Sequence, residues 1–297
     1  MGKNPVKLKL KAAKKKITIR RKYFVNNIKK QVKENKLMFA VYLILRLFVV
    51  LSMTSAVLRG DWESFFVCTL SLILFLLPAF LEKNFGIDIP SLLEVMILLF
   101  IFCAEILGEL QCYYIKFPYW DAMLHTVNGF ICAAIGFSLI DIFNRNKRFK
   151  FRMSPMFIVL MSFCFSMTAG VVWEFFEFGC DMLFKTDMQK DAIVHSISSV
   201  MLDPANSNKA VTIDNITDVE IAGRSLGLGG YLDIGLIDTI KDLFVNMIGA
   251  VVFNIFGFIY LKHRGKGKLV PMLVPTPTVS GKNDFETQQE ESDIKDE

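Results

Sequence analysis

Six apolar runs, each about long enough to cross a bilayer, constrain this chain more than any other feature. They lie near residues 37–58, 64–82, 91–112, 121–143, 155–183 and 239–262. About 20 apolar residues of helix match the hydrocarbon thickness of a membrane. Lipid offers the backbone no hydrogen-bond partners, so each run must satisfy its own amides and carbonyls as helix. The whole chain agrees with this: 53% of its 297 residues are hydrophobic, against about 45–50% in a soluble domain even when Gly is counted. The expected fold class is all-α, a polytopic membrane helix bundle with six transmembrane helices.

Charge at the ends of the runs sets an orientation. Residues 1–36 carry fourteen Lys or Arg against one acid, Glu34, and NRNKRFKFR between the fourth and fifth runs has five positive charges. KHRGKGK follows the sixth run. With six spans these segments share one side, and an excess of Lys and Arg marks the cytoplasmic side. Both termini are therefore expected in the cytoplasm, with the chain a multi-pass protein of the cell membrane. The pattern of a cleavable signal peptide is missing, so the first run is expected to stay as a signal anchor.

Three regions follow. Residues 1–36 form a basic tail and residues 263–297 a second tail, acidic at its end in NDFETQQEESDIKDE. Both are too poor in apolar residues to fold alone and are expected to be disordered. Between them, 37–262 is the membrane domain, with an outer segment at about 184–238. The basic tail serves as a topology determinant and can attract anionic lipid, at about 1 kcal/mol per residue. Nucleic acid is not an expected partner, because no aromatic residues interleave the charges. Oligomeric state is not legible.

The outer segment exceeds the length of a plain loop, and a lid or re-entrant hairpin would suit it. AVTIDNITDVEI within it alternates weakly, as short strands do. Asn215-Ile-Thr217 matches a glycosylation triplet, and the glycines at 227–230 suit a turn rather than a phosphate loop. The six cysteines are scattered and mostly suit helix filling, although Cys112 and Cys180, near helix ends, could pair in an oxidising space.

Ionisable residues inside the apolar runs are costly, and they fall in a pattern. The third run ends in CAEILGELQ with Glu105 and Glu109. The fourth begins WDAMLHTVNG with Asp121, His125 and Asn128. The fifth ends WEFFEFGCD with Glu174, Glu177 and Asp181. The sixth begins LIDTIKDLFVNMIG with Asp238, Asp242 and Asn246. Spacings of three and four residues put each set on one helix face. All lie toward the expected outer side, in two layers: Glu105, His125, Glu174 and Asn246 deeper, and Glu109, Asp121, Glu177 and Asp242 nearer the surface.

Pooled carboxylates repel one another unless they protonate or bind a cation. An oxygen-rich site with one histidine suits a divalent metal, with Mg²⁺, Mn²⁺ or Ca²⁺ favoured over Zn²⁺. Ordinary roles compete with this reading. Asp121 and Asp238 suit helix N-terminal caps, and a lone histidine is often only packed. Glu105 and Glu174 lie near helix C-termini, where the dipole disfavours acids, so capping does not explain them. Gly129, Ala133 and Gly136 suit close helix packing.

The blocks CAEILGELQCYYIKFPYWDAMLHTVNGF, GVVWEFFEFGCDMLFKTDMQ and GLIDTIKDLFVNMIGA resemble the YjdF-type bacterial inner-membrane proteins, an uncharacterised family, from about residue 37 to 262. By that resemblance, Glu105, Glu109, Asp121, His125, Glu174, Glu177, Asp238, Asp242 and Asn246 correspond to the family's polar pattern. Asp242, Asn246 and Gly249 are also similar to an ending of VanZ-like membrane proteins, which are linked to glycopeptide resistance. Neither resemblance supplies a reaction.

The leading expectation is a metal-dependent hydrolase or transferase acting on a lipid or lipid-linked substrate. Glu105, His125, Glu174 and Asp242 would hold the metal, and Glu109 or Glu177 would serve as general base. Asn246 would orient a substrate oxygen, and Asp121, Asp181 and Asp238 would border the site. The competing readings are a cation or proton carrier or channel, and a non-enzymatic accessory protein of the cell envelope.

Overall fold

The computed structural model describes residues 36–85, 87–145, 153–263 and 265–277. The basic tail before residue 36 and the acidic terminus after 277 lie outside the described residues. The chain divides into two compact units, one ending at Gln111 and the other beginning at Cys112. Among the described residues, six helical stretches are long and apolar enough to cross a membrane: Met38–Arg59, Trp62–Asn84, Ser91–Leu110, Trp120–Asn144, Pro155–Phe184 and Leu236–Lys262.

The first unit holds the first three stretches. Helix α1 (Lys36–Arg59) gives way at a tight turn to α2 (Trp62–Leu74). Asp61 caps α2 by accepting from the Ser64 N–H at 3.0 Å and from its hydroxyl at 2.6 Å. The second span is not one straight helix. Pro78 lacks an N–H and crowds the carbonyl four residues back, so the helix breaks after Leu74 and resumes as α3 (Leu77–Phe85). The third span opens as α4 (Ser91–Ile101) and widens into a π-helix over Phe102–Leu110. π-Geometry usually occupies a single turn, often at functional sites. Glu105 and Glu109 both ride on this stretch.

The second unit is a trio of long helices. After the short α5 (Tyr113–Lys116) come α6 (Trp120–Arg145), α7 (Pro155–Phe184) and α8 (Leu236–Lys262). Ser154 caps α7, and Pro155 stands in its first turn, where a missing N–H costs nothing. α6 and α8 run parallel, and α7 runs antiparallel to both. Contacts down their length fix this arrangement: the Ser166 hydroxyl donates to the Gly129 carbonyl and that of Ser162 to the Ala133 carbonyl, both at 2.8 Å. Phe253 packs edge-on against Phe130 and Phe137 at 5.3 and 5.8 Å between ring centroids.

Backbones meet where glycine permits. A β-carbon on Gly129 would stand 2.0 Å from the Asn246 carbonyl oxygen, and one on Gly249 would stand 1.9 Å from that of Thr126. Such contact through small residues is a common means of joining helices in lipid, where no hydrophobic force drives them together. On α7 the buried residues Ile158, Ser162, Ser166, Gly170, Glu174 and Glu177 form one stripe at helical spacing. Phe175, Phe176 and Phe178 point away from the trio and are more than half exposed, a face that lipid accepts.

Residues 185–235 cross from α7 to α8 as a run of short hairpins. Strand β1 (Ile193–Val194) pairs with β6 (Tyr231–Leu232), β2 (Ile197–Ser199) with β3 (Val211–Ile213), and β4 (Glu220–Ile221) with β5 (Arg224–Ser225), all antiparallel. After α8 the chain does not begin a structureless tail, as its composition suggests. Val270, Leu273 and Val274 are buried, and the Ser138 hydroxyl donates to the Pro275 carbonyl at 2.5 Å. The apolar stretch LVPMLVP, read as part of a polar tail, supplies the burial that composition over 263–297 hides.

Candidate functional site

One end of the trio is polar, and helical spacing puts it there. On α6, Asp121 and His125 stand one turn apart. On α7, Glu174 and Glu177 continue the buried stripe by one more turn. On α8, Asp238, Asp242 and Asn246 follow in steps of four. Because α6 and α8 are parallel and α7 antiparallel, the starts of the first two meet the end of the third.

His125 stands at the centre and is 6% exposed. Its Nε2 lies 3.6 Å from Asp121 Oδ1 and 3.8 Å from Asp242 Oδ2, while its Nδ1 lies 4.0 Å from Glu174 Oε1. These separations exceed hydrogen-bond length, so they are close approaches rather than bonds. A neutral imidazole has one N–H to donate, yet carboxylates flank both nitrogens. Glu174 Oε1 is buried and has no hydrogen-bond partner among the described residues. Asp242 and Glu177 are also buried, at 2% and 7% exposure. Glu177 Oε1 accepts from the Trp173 indole N–H at 2.8 Å.

The geometry can hold a cation. Ligand atoms of Asp121, His125 and Asp242 fall within 4.8 Å of one another, as do those of His125, Glu174 and Glu177. Ligands about 2.0–2.6 Å from a hard cation are spaced on the order of 3–5 Å apart. The orphaned Glu174 oxygen supports the same fit, since a buried carboxylate oxygen lacking a donor is otherwise costly.

A strap of main chain lies over these groups. Asp181 Oδ1 accepts from the Met188 N–H at 2.7 Å and the Thr186 hydroxyl at 2.8 Å, and its Oδ2 accepts from the Gln189 N–H at 2.9 Å. Asp238 Oδ2 accepts from the Lys190 N–H at 2.7 Å. Gln189 Nε2 donates to Thr239 Oγ1 at 2.7 Å and reaches Glu174 Oε2 at 3.5 Å. Gly235, at φ +87, lets the backbone pass so close that a β-carbon would stand 2.7 Å from Cβ of Gln189. Asp233 anchors the return. Although burial pushes its pKa up, N–H donors from Ala192, Ile237 and Gly235 hold the carboxyl below the usual range.

The second unit thus brings together Asp121, His125, Glu174, Glu177 and Asp242, with Asp181 and Asp238 tying the strap above them. Two expected layers merge into one, because Asp242 and Glu177 are as thoroughly buried as Glu174. Asn246 lies beneath. Its Oδ1 accepts from Asn128 Nδ2 at 3.3 Å, and its Nδ2 donates to the Ser166 carbonyl at 3.4 Å. Both ends of this amide join helices. Glu105 and Glu109 belong to the first unit, whereas the cluster is complete within the second. Cys112 and Cys180 are free thiols.

Gln189, Thr239 and Lys190 were missed by residue-type reasoning. Gln and Thr carry no charge to mark them, and the only signal is the run of acids around DMQKD that the strap uses as anchors.

Over residues 38–263 the chain matches the family described as "Predicted membrane protein (DUF2238)". An uncharacterized protein of Thermotoga maritima is 26% identical over 106 residues, 36% of this chain and 53% of that protein. The chain spans about half the length of that curated relative. No solved structure matches.

Proposed function

The chain belongs to the DUF2238 family of predicted membrane proteins, and from that premise we propose that the polar end of its helix trio binds a divalent cation and carries out hydrolysis or group transfer on a lipid or lipid-linked phosphate. The observation that carries this reading is His125 buried between Asp121 and Asp242 on one nitrogen and Glu174 on the other, beside an orphaned Glu174 oxygen. One His125 nitrogen serves one ion: Asp121 and Asp242 would hold it with Nε2, or Glu174 would hold it with Nδ1. An oxygen-rich set favours Mg²⁺, Mn²⁺ or Ca²⁺ over Zn²⁺. The ion, when bound, polarises a phosphoryl oxygen. Glu177 accepts the proton of the attacking water or hydroxyl, with the Trp173 N–H fixing its carboxylate. Asp181 and Asp238 act at one remove, by holding the strap.

The distribution of Lys and Arg supports a site that faces the outer side of the membrane. A cation or proton carrier is the second reading. It needs a polar path to the far end of the trio, and the contacts of Gly129 and Gly249 close the helices together directly beneath the cluster.

Metal content of the detergent-purified protein tests the proposal. About one divalent ion per chain is expected, lost in Glu174→Gln/Asp242→Asn while the fold is retained. A wild-type protein that takes up no Mg²⁺, Mn²⁺ or Ca²⁺ would sink it. Hydrolysis of lipid-linked phosphates by the loaded protein then tests the reaction.

A further inference from the structure

The strap crosses the cluster at Gln189, whose amide reaches two helices at once. Its Nε2 stands 2.7 Å from Thr239 Oγ1 on α8 and 3.5 Å from Glu174 Oε2 on α7. The backbone there is fixed from three sides: by Asp181 through the Met188 and Gln189 N–H groups, by Asp238 through the Lys190 N–H, and by Gly235. Four anchored contacts are more than a passing loop needs. They set one side chain over the carboxylates.

We infer that Gln189 is a ligand of the site's cation and that cation binding locks the strap closed. This inference rests on the cation reading given above. A half turn of a primary amide exchanges its oxygen and its NH₂ at the same point in space. The Thr239 hydroxyl can accept from the NH₂ or donate to the oxygen, so it serves either orientation. Without a cation, the NH₂ faces the Glu174 carboxylate. With one, the neutral amide oxygen faces the ion and adds a hard donor without adding charge to a set already rich in carboxylates. Oxygen donors from α7 and the strap then meet at one ion on the Nδ1 side of His125. The strap then closes on the Glu174 side of the cluster, so occupancy of the cation site and access from that side become coupled.

The test uses the full-length protein in lipid nanodiscs with Mn²⁺ as probe, free Mn²⁺ being read by electron paramagnetic resonance. Gln189→Ala is expected to weaken Mn²⁺ binding about tenfold, the lower end of what loss of a supporting partner costs a metal site. Gln189→Glu, which supplies another hard oxygen, is expected to restore it. In the wild type, saturating Mn²⁺ should slow hydrogen exchange at the Gln189 and Lys190 amides, and in Gln189→Ala it should not. Wild-type exchange that is indifferent to bound Mn²⁺, or Mn²⁺ affinity unchanged in Gln189→Ala, would overturn the assignment of Gln189 while leaving the cation reading standing. A wild-type protein that binds no Mn²⁺ would overturn both.

Discussion

Gly249 on α8 presses its α-carbon so close to Thr126 on α6 that a β-carbon there would stand 1.9 Å from the Thr126 carbonyl oxygen. The clash is with backbone, which cannot swing aside as a side chain can. Gly249→Ala should therefore destabilise the protein by about 1–3 kcal/mol or more, the usual range for overpacking. Thermal unfolding in detergent, compared with Gly179→Ala, measures this. A β-carbon at Gly179 meets nothing within 4 Å, so that variant should be nearly neutral.

Asp181 holds the strap with two oxygens that accept from three donors. In Asp181→Asn one of those oxygens becomes an NH₂ that faces another donor. Hydrogen bonds to a charged group are worth about 1.5–3 kcal/mol each. The strap should exchange its amide hydrogens about tenfold faster or more, while the buried amides of α6 and α8 keep their wild-type protection. Hydrogen exchange read by mass spectrometry separates the two regions.

The hairpin segment should loosen in acid. Asp203 and Asp218 are held below the usual range by hydrogen bonds, from Ser207 and Ser225 foremost, and Asp233 is held low by backbone N–H donors in spite of burial. A carboxyl whose folded pKa is depressed gives its full stabilisation above its ordinary value, 3.8, and loses it as pH falls through the lowered one. Protease nicking within 190–235 should stay constant down to about pH 4 and rise below it. Nicking that rises between pH 7 and 5 would contradict this account.

The orientation read from Lys and Arg predicts which reagents reach which loops. In a background lacking the native cysteines, Asn208→Cys should react with a membrane-impermeant maleimide in intact cells. His263→Cys should react only after permeabilisation. The reverse pattern would invert the topology and place the acidic site on the cytoplasmic face.

Particular residues mark where the sequence could be read and where it could not. Hydropathy located the six spans, since lipid enforces helix wherever apolar length suffices. The four-residue steps of Asp121–His125 and Asp238–Asp242–Asn246 placed those groups on single faces, and the shared end followed from the alternation of direction. The helix-joining hydrogen bonds of Asn246 were not legible, because a buried amide between helices and one beside a substrate have the same spacing. Gln189 resisted it because its place depends on a fold-back of the chain that no local period announces. Pro78 does break the second span, a local effect that the continuous hydropathy conceals. The π-helical turns at Phe102–Leu110 have no signal in the sequence that we can identify.

The glycine contacts near Gly129 and Gly249 also act as a fulcrum. Two helices touching backbone to backbone can scarcely slide or approach further; what remains is tilt about the point of contact. His125 and Asp242 lie about one turn from it on one side. Phe137 and Gly257 lie about two turns away on the other, where a β-carbon on Gly257 would already stand 2.9 Å from the Phe137 ring. A tilt that parts His125 from Asp242 by 1 Å drives the far ends together by roughly twice as much, into a gap already filled. The polar end of the trio is thus kept narrow by the aromatic packing at its opposite end.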